Sequence, residues 1–252
     1  GWQVIRHDVA RSMAVTNVRE LVRQDYLADS NAVKAVYVLG HVPVPYSGAI
    51  APDGHGNHSG AWPADVYYAE MNGVWSDAVV SNVTASDARN RNVPGDGKFD
   101  QSSLPGDIEL QIGRVDLYNM TQYPNSSVSE TDLMRRYLRR AHDYRTRRGM
   151  FAAEIPRRAL IDDNFGFYGS SEGFANTAFR TAYAWGGRGA GAYYNGDWFA
   201  TLGTGEYLFA YGCGAGSYTS ATGVGNSGDF GAKPSKAVFT CLFGSYHGDW
   251  DY

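Results

Sequence analysis

The sequence predicts an α/β fold: a doubly wound, mostly parallel sheet with helices on both faces. Three observations predict it. β-rich apolar runs alternate with amphipathic helices, these runs end in glycine and polar residues, and no internal repeat or linker divides the chain. Ligands of such sheets bind beyond the carboxyl ends of the strands. We therefore expect a single α/β domain over residues 1–252, with its chemistry on loops at one edge of the sheet.

The first half of the chain predicts one helix, one strand and a long irregular region. The helix covers residues 16–28 and is capped by Thr16, and the strand covers residues 32–39 and ends in Gly40-His41. Prolines, glycines, asparagines and aspartates are frequent over residues 43–107, so regular structure should be scarce there. Loops of this length inside a compact domain usually carry function or bind ions.

Strands and helices alternate in the second half. The predicted elements are a strand at 108–117, a helix at 129–148, a strand at 157–162, a helix at 172–184, and strands at 207–211 and 237–243. Ser129 should begin the first of these helices and Gly149 should end it. Its seven arginines are interpreted as a solvated face rather than a nucleic-acid patch.

Composition argues against several classes of function. The net charge of −4 and the pI near 5.8 do not suit a general nucleic-acid binder. No apolar run approaches the roughly 18 residues of a membrane span. The start at Gly1-Trp2 rather than Met, together with 31 glycines and few lysines, is typical of a piece of an exported protein. We expect a fragment of a larger bacterial protein, secreted or on the cell surface, with additional domains in the same polypeptide.

The two cysteines are the candidate nucleophiles. Cys213 lies between Gly212 and Gly214 after an apolar run, and Cys241 lies within the last apolar run. A glycine-rich turn can form an oxyanion hole beside a reactive thiol, and Ser217 follows that turn. The alternatives are that the cysteines only pack in the core, or that they form a disulfide, for which their Cα atoms must lie within about 7 Å.

Three further patterns suggest cations. Asp96 and Asp100 flank a Gly-Lys-Phe segment in an oxygen-rich turn that could bind a structural Ca²⁺, although simple Asp-Gly turns occur without metal. His55 and His58 could bind a metal with Asp53 or Asp65, but a flexible loop is the interpretation that we favour. Another acidic site is suggested by Asp162-Asp163-Asn164 at a strand end.

Five segments, in order, carry a family resemblance. They are Val38-Leu39-Gly40, Asp65-Val66-Tyr67-Tyr68-Ala69, Ile112-Gly113-Arg114-Val115, Tyr211-Gly212-Cys213-Gly214 and Phe239-Thr240-Cys241-Leu242-Phe243-Gly244. Over roughly residues 33–246 the chain resembles the catalytic domain of gingipain-type cysteine peptidases, which share the caspase-like fold. The resemblance implies that fold, hydrolysis of peptides and Cys241 as the nucleophile. We place Gly212, Gly214, Ser217 and Asp65 in oxyanion or substrate binding.

The chain departs from this family at the general base. Cys213 occupies the position of the family's histidine, and a thiol is a poor base for another thiol. His41 or His247 must then supply the base, and His41 is preferred because it leaves a strand at the same edge. The loop after Gly40 also lacks the acid that selects basic side chains in gingipain-like enzymes.

The leading prediction is a thiol-dependent hydrolase with an altered active site. One alternative is a catalytically inactive caspase-fold binding module of a secreted or surface protein. The other alternative is a cysteine-dependent esterase or a hydrolase acting on glycosides. The substrate is a peptide or another small molecule, with no nucleic acid and no membrane as partner.

Overall fold

The structure, a computed structural model, is mixed α/β and contains two parallel sheets. It describes residues 1–120, 128–165, 174–187 and 193–251. The described residues fall into two compact units: residues 1–118 with Asp251, and residues 119–250. The α/β prediction is confirmed at this level, and the expectation of a single domain stays a prediction.

The first unit contains one helix and four strands. They are α1 (Val15–Ala28), β1 (Ala35–Leu39), β2 (Tyr46–Ile50), β3 (Gly60–Pro63) and β4 (Gln111–Val115). β1 and β4 pair in parallel, from Ala35 opposite Gln111 to Leu39 opposite Val115. β2 and β3 form an antiparallel pair with an irregular register. The region 43–107 therefore holds a β-hairpin as well as loops.

Aromatic residues from this irregular region supply much of the first unit's core. Tyr67 and Tyr68 lie on a short 3-10 turn at Asp65–Tyr68 and are buried with Val18 of α1 and Val38 of β1. The ring of Tyr67 stacks on Phe99, with ring centroids 4.3 Å apart. Burial of these large rings removes much apolar surface from water, which stabilises a segment with little regular structure.

The second unit is built on a four-stranded parallel sheet. Its main elements are α2 (Glu130–Thr146), β5 (Ala159–Asp163), α3 (Phe174–Gly186), β6 (Tyr193–Asn195), α4 (Trp198–Thr204), β7 (Tyr207–Cys213), α5 (Ser227–Ala232) and β11 (Ala237–Phe243). Between β7 and α5, a small antiparallel sheet is formed by β8 (Gly216–Ser217), β9 (Ser220–Ala221) and β10 (Gly225–Asn226). The order of the large sheet is β11-β7-β5-β6.

Helices cover both faces of this sheet. On one face Ala178 and Ala182 of α3 pack with Ile161 and Tyr211. On the other face Trp198 of α4 packs among side chains of β5 and β7. Trp198 is fully buried, and its indole Nε1–H has no hydrogen-bond partner in the part of the chain that the structure describes. The prediction of a parallel sheet between two helical layers is confirmed for this unit.

Several element boundaries differ from the predicted ones. α1 begins after Ala14 without a side-chain cap, so the prediction of a Thr16 cap was wrong. Ser129 does cap α2, because its side chain accepts a hydrogen bond from the Asp132 amide. However, α2 ends at Thr146, and its C-cap is Arg147 in the left-handed conformation, with φ 53°, rather than Gly149. None of the described helices is both long and apolar enough to cross a membrane.

Candidate functional site

Three parallel strands of the second unit end at one row of residues. In the register of the sheet, Asp163 of β5 lies opposite Cys213 of β7, and Cys213 lies opposite Phe243 of β11. Cys213 is the last residue of β7 rather than part of the following loop, so the strand is two residues longer than predicted. This row is the carboxyl edge at which ligands of such sheets bind.

Cys213 is a buried and protonated thiol. Its side chain is 0% exposed, and its Sγ lies 3.3 Å from Oδ1 of Asp163, to which the thiol donates a hydrogen bond. Burial first, and then the Asp163 carboxylate, raise the pKa of Cys213 to about 12. Since only the thiolate is a strong nucleophile, this environment opposes activation near neutral pH.

Cys241 lies on the neighbouring strand in a different environment. It lies opposite Tyr211 of β7, and its own strand, β11, is at the edge of the sheet. The residue is exposed. Desolvation raises the pKa of this thiol as well. The pKa of Tyr211 is raised by burial first and then by the Cys213 and Cys241 thiols, so both sulfurs lie near the phenol.

The two cysteines are adjacent across the sheet but are not bonded. Their strands are neighbours, as predicted, but Cys241 lies two residues before the end of β11. One strand spacing of about 4.8 Å and two residues of about 3.3 Å place their Cα atoms about 8 Å apart. That separation exceeds the reach of a disulfide, and both cysteines are free.

The two glycines beside Cys213 are used for packing. A Cβ on Gly212 would lie 3.0 Å from both Trp198 and Val224, and one on Gly214 would lie 2.1 Å from the Thr222 carbonyl oxygen. The Gly214 amide donates to the Phe243 carbonyl at 3.2 Å. An oxyanion would therefore have to compete for that donor, and the oxyanion role of Gly212 and Gly214 stays a prediction.

Ser217 and His247 lie in the segments that follow β7 and β11. The Ser217 and Ser220 hydroxyls are 2.8 Å apart. Nε2 of His247 is 3.2 Å from the Ser220 carbonyl oxygen, so this nitrogen carries a proton. In a neutral ring Nδ1 would then be the basic atom. The role of His247 as a general base stays a prediction.

His41 and Asp65 belong to the first unit, where each contacts a charged side chain. Nδ1 of His41 lies 2.9 Å from Oδ2 of Asp116, and its ring stacks on Tyr118. The Arg114 guanidinium donates two hydrogen bonds of 2.7 Å to the Asp65 carboxylate. This contact joins two of the segments that carry the family resemblance. A substrate-binding role for Asp65 would compete with Arg114, and both assignments stay predictions.

The Asp96 and Asp100 carboxylates already accept several hydrogen bonds. Asp96 accepts from the Lys98 and Val93 amides and pairs with the Lys98 ammonium. Asp100 accepts from the amides of three consecutive residues, 78–80. Burial tends to raise the pKa of Asp100, but these donors outweigh it and lower the pKa to about 2. A bound Ca²⁺ would share both carboxylates with these donors, and the calcium site stays a prediction.

Sequence reasoning missed two features of the site. One is the contact of Cys213 with Asp163. The only signal for this contact in the sequence is that each of the two residues ends an apolar run. The other is an open cleft of about 410 Å³ beside the same edge. Asp197, which follows β6, lines it with Phe199, Ser220, Asn226, Asp229 and Lys233.

The chain matches no family model, no curated protein and no solved structure. The resemblance to gingipain-type peptidases therefore rests on the five sequence segments alone. The chemistry of the site must be interpreted from its own contacts.

Proposed function

We propose that the second unit is a binding module with a caspase-like arrangement of strands, and that it does not hydrolyse its ligand. The observation that carries this proposal is the state of Cys213. The residue at the family's base position is a buried thiol that donates to Asp163. A thiol with a pKa of about 12 neither accepts a proton from a nucleophile nor acts as one near neutral pH.

The cleft beside the carboxyl edge supports a peptide as the ligand. It presents both signs of charge: the carboxylates of Asp197 and Asp229, and the ammonium of Lys233. The Lys233 ammonium is 2.7 Å from Asp229 and 5.0 Å from the centre of the Phe199 ring. A peptide offers amide donors and acceptors together with charged side chains, which complement this mixed lining better than an uncharged ligand does.

Thiol titration tests the proposal directly. Under native conditions we expect iodoacetamide to modify Cys241 slowly and Cys213 not at all, with both thiols reacting after unfolding. We also expect no turnover of peptide substrates. Rapid modification of Cys213 near neutral pH, together with peptide hydrolysis that Cys213→Ala abolishes, would contradict the proposal.

Peptide binding can be measured with ligand-detected NMR on short peptides of mixed charge. Lys233→Ala should weaken binding, because it removes the cation of the cleft. Lys236→Ala, an exposed lysine outside the cleft lining, is the matched control and should leave the affinity unchanged. If no mixed-charge peptide binds, or if both variants bind equally well, the assignment of the cleft is wrong.

The second candidate is a thiol-dependent hydrolase that uses Cys241. It is favoured by the exposure of this thiol on the same face as Tyr211 and Cys213. For this candidate, Cys241→Ala would abolish turnover, and loss of the base at His41 or His247 would cost about 10²–10⁴ in rate. The same titration and turnover assay separates it from the binding module.

Two further parts of the proposal concern context. We propose that the chain belongs to a secreted or surface protein with further domains, as its glycine-rich and lysine-poor composition suggests. We also propose Ca²⁺ binding at the loop of Asp96 and Asp100. Calorimetry should then show heat on addition of Ca²⁺ that Asp96→Ala weakens, whereas the absence of heat would contradict it.

A further inference from the structure

Three side chains on the loop between β2 and β3 converge as a metal site requires. They are Asp53, His55 and His58, and their ligating atoms all lie within 4.8 Å of one another. This cluster belongs to the first unit and is independent of the function proposed for the second unit. From the sequence alone, a flexible loop is the favoured interpretation of these residues.

Both imidazoles direct Nδ1 at the same carboxylate oxygen. Oδ2 of Asp53 lies 2.5 Å from Nδ1 of His58 and 3.3 Å from Nδ1 of His55. In a tetrahedral zinc site with bonds of about 2.0–2.2 Å, neighbouring ligand atoms are about 3.3–3.5 Å apart. The His55 separation already fits this geometry, and the His58 separation would have to open by about 1 Å.

The loop fixes the ligands through its own hydrogen bonds. The other oxygen of Asp53, Oδ1, accepts from the His55 backbone amide at 3.2 Å. This bond leaves Oδ2 facing the two imidazoles. Ser86 donates to the Asn57 carbonyl at 3.1 Å, which holds the short 3-10 turn that carries His58.

The cluster is enclosed on one side and open on the other. The side chains of Asp53 and His58 are only 12% and 11% exposed, whereas that of His55 is 63% exposed. An ion could therefore enter past His55 and meet two ligands that are already held in place.

We propose that Asp53, His55 and His58 bind Zn²⁺ through two imidazole nitrogens and one carboxylate oxygen, with water in the fourth position. Imidazole is a favoured ligand of Zn²⁺, whereas Ca²⁺ and Mg²⁺ prefer sites made of oxygen atoms.

The test is a titration of the chelator-treated chain with Zn²⁺ in competition with a chromophoric chelator. We expect one ion per chain. His58→Asn should lower the affinity by more than about 100-fold, because even outer-shell partners of metal ligands are worth about 10–100-fold. His142→Asn is the matched control, since His142 is exposed on α2 and outside the cluster.

Two further variants keep the result decisive. His55→Asn alters the most exposed ligand, so it should weaken Zn²⁺ binding while the circular dichroism spectrum of the chain stays unchanged. Cys241→Ser removes the exposed thiol, the main competing soft ligand, and should leave the affinity unchanged. The proposal would be overturned if zinc binding were lost only in Cys241→Ser, if it were equal in every variant, or if it were absent from the wild-type chain.

Discussion

The Arg114 guanidinium and the Asp65 carboxylate form a two-point ion pair between β4 and the turn that carries Tyr67 and Tyr68. Arg114 also donates to the Val42 carbonyl at 2.7 Å, in the segment that follows β1. One side chain therefore holds together three segments of the first unit. Its side chain is 6% exposed and that of Asp65 is 20% exposed, so water screens the pair weakly.

Arg114→Ala should destabilise the first unit strongly. Removal of one partner from a buried ion pair leaves an uncompensated charge and typically costs about 3–5 kcal/mol. Arg6→Ala is the matched control, because Arg6 pairs with Asp8 at the surface and should change the free energy of unfolding by less than about 1 kcal/mol. Denaturant unfolding measures both variants, and equal effects would contradict a stabilising role for the Arg114 pair.

The raised pKa of Cys213 predicts a loss of stability at alkaline pH. The thiol ionises near 9.0 when unfolded and near 12 when folded, so the folded state holds its proton more tightly. Its contribution is complete below pH 9 and is lost as the pH rises toward 12. Inside that window the loss approaches about 1.4 kcal/mol per pH unit.

Cys213→Ser isolates this contribution, because the hydroxyl can still donate to Asp163 but does not ionise in this range. The free energy of unfolding, measured from neutral pH to about pH 11, should fall less steeply in the variant than in the wild type. Parallel curves would contradict a buried, protonated thiol at this position.

The lowered pKa of Asp100 predicts the opposite dependence in acid. Its ordinary value is 3.8 and its folded value is about 2, so the stabilisation is present above pH 4 and is lost as the pH falls toward 2. In Asp100→Asn, the free energy of unfolding should therefore fall less steeply than in the wild type as the pH is lowered from 4 toward 2. Asp107→Asn removes one exposed carboxylate and controls for the change in net charge. An unchanged acid limb in Asp100→Asn would mean that this carboxylate does not anchor residues 78–80.

A pair of glycine substitutions separates packing from helix propensity. Gly214→Ala places a Cβ 2.1 Å from the Thr222 carbonyl oxygen, so the backbone must move, at a cost of about 1–3 kcal/mol or more. Gly203 lies in α4, and a Cβ there would have no atom within 4 Å. Gly203→Ala should therefore stabilise the protein by about 0.5–1 kcal/mol. Melting temperatures that shift in the same direction would contradict this account.

Local signals in the sequence predicted much of the second unit. The apolar run at 237–243 coincides with β11, the edge strand of the sheet, because a short run rich in β-branched and aromatic residues favours a strand. Ser129 followed by two acidic residues predicted the start of α2, because a serine side chain can accept a hydrogen bond from an amide of the first turn.

The features of the site that the sequence did not predict depend on contacts between residues far apart in the chain. Asp163 and Cys213 are 50 residues apart, and only the pairing of β5 with β7 brings them together. That contact turns a thiol that looked nucleophilic into a buried donor. The close approach of Thr222 and Trp198 likewise explains the two glycines beside Cys213, which had suggested an oxyanion hole. Such packing has no local signature in the chain.

The indole N–H of Trp198 has a practical consequence for spectroscopy. It is fully buried between α4 and the sheet, and it has no acceptor among the described residues. Its proton should exchange slowly with solvent and should give one sharp NMR signal apart from the backbone amides. The exchange rate of that single proton would report the integrity of the second unit's core, without any label introduced into the chain.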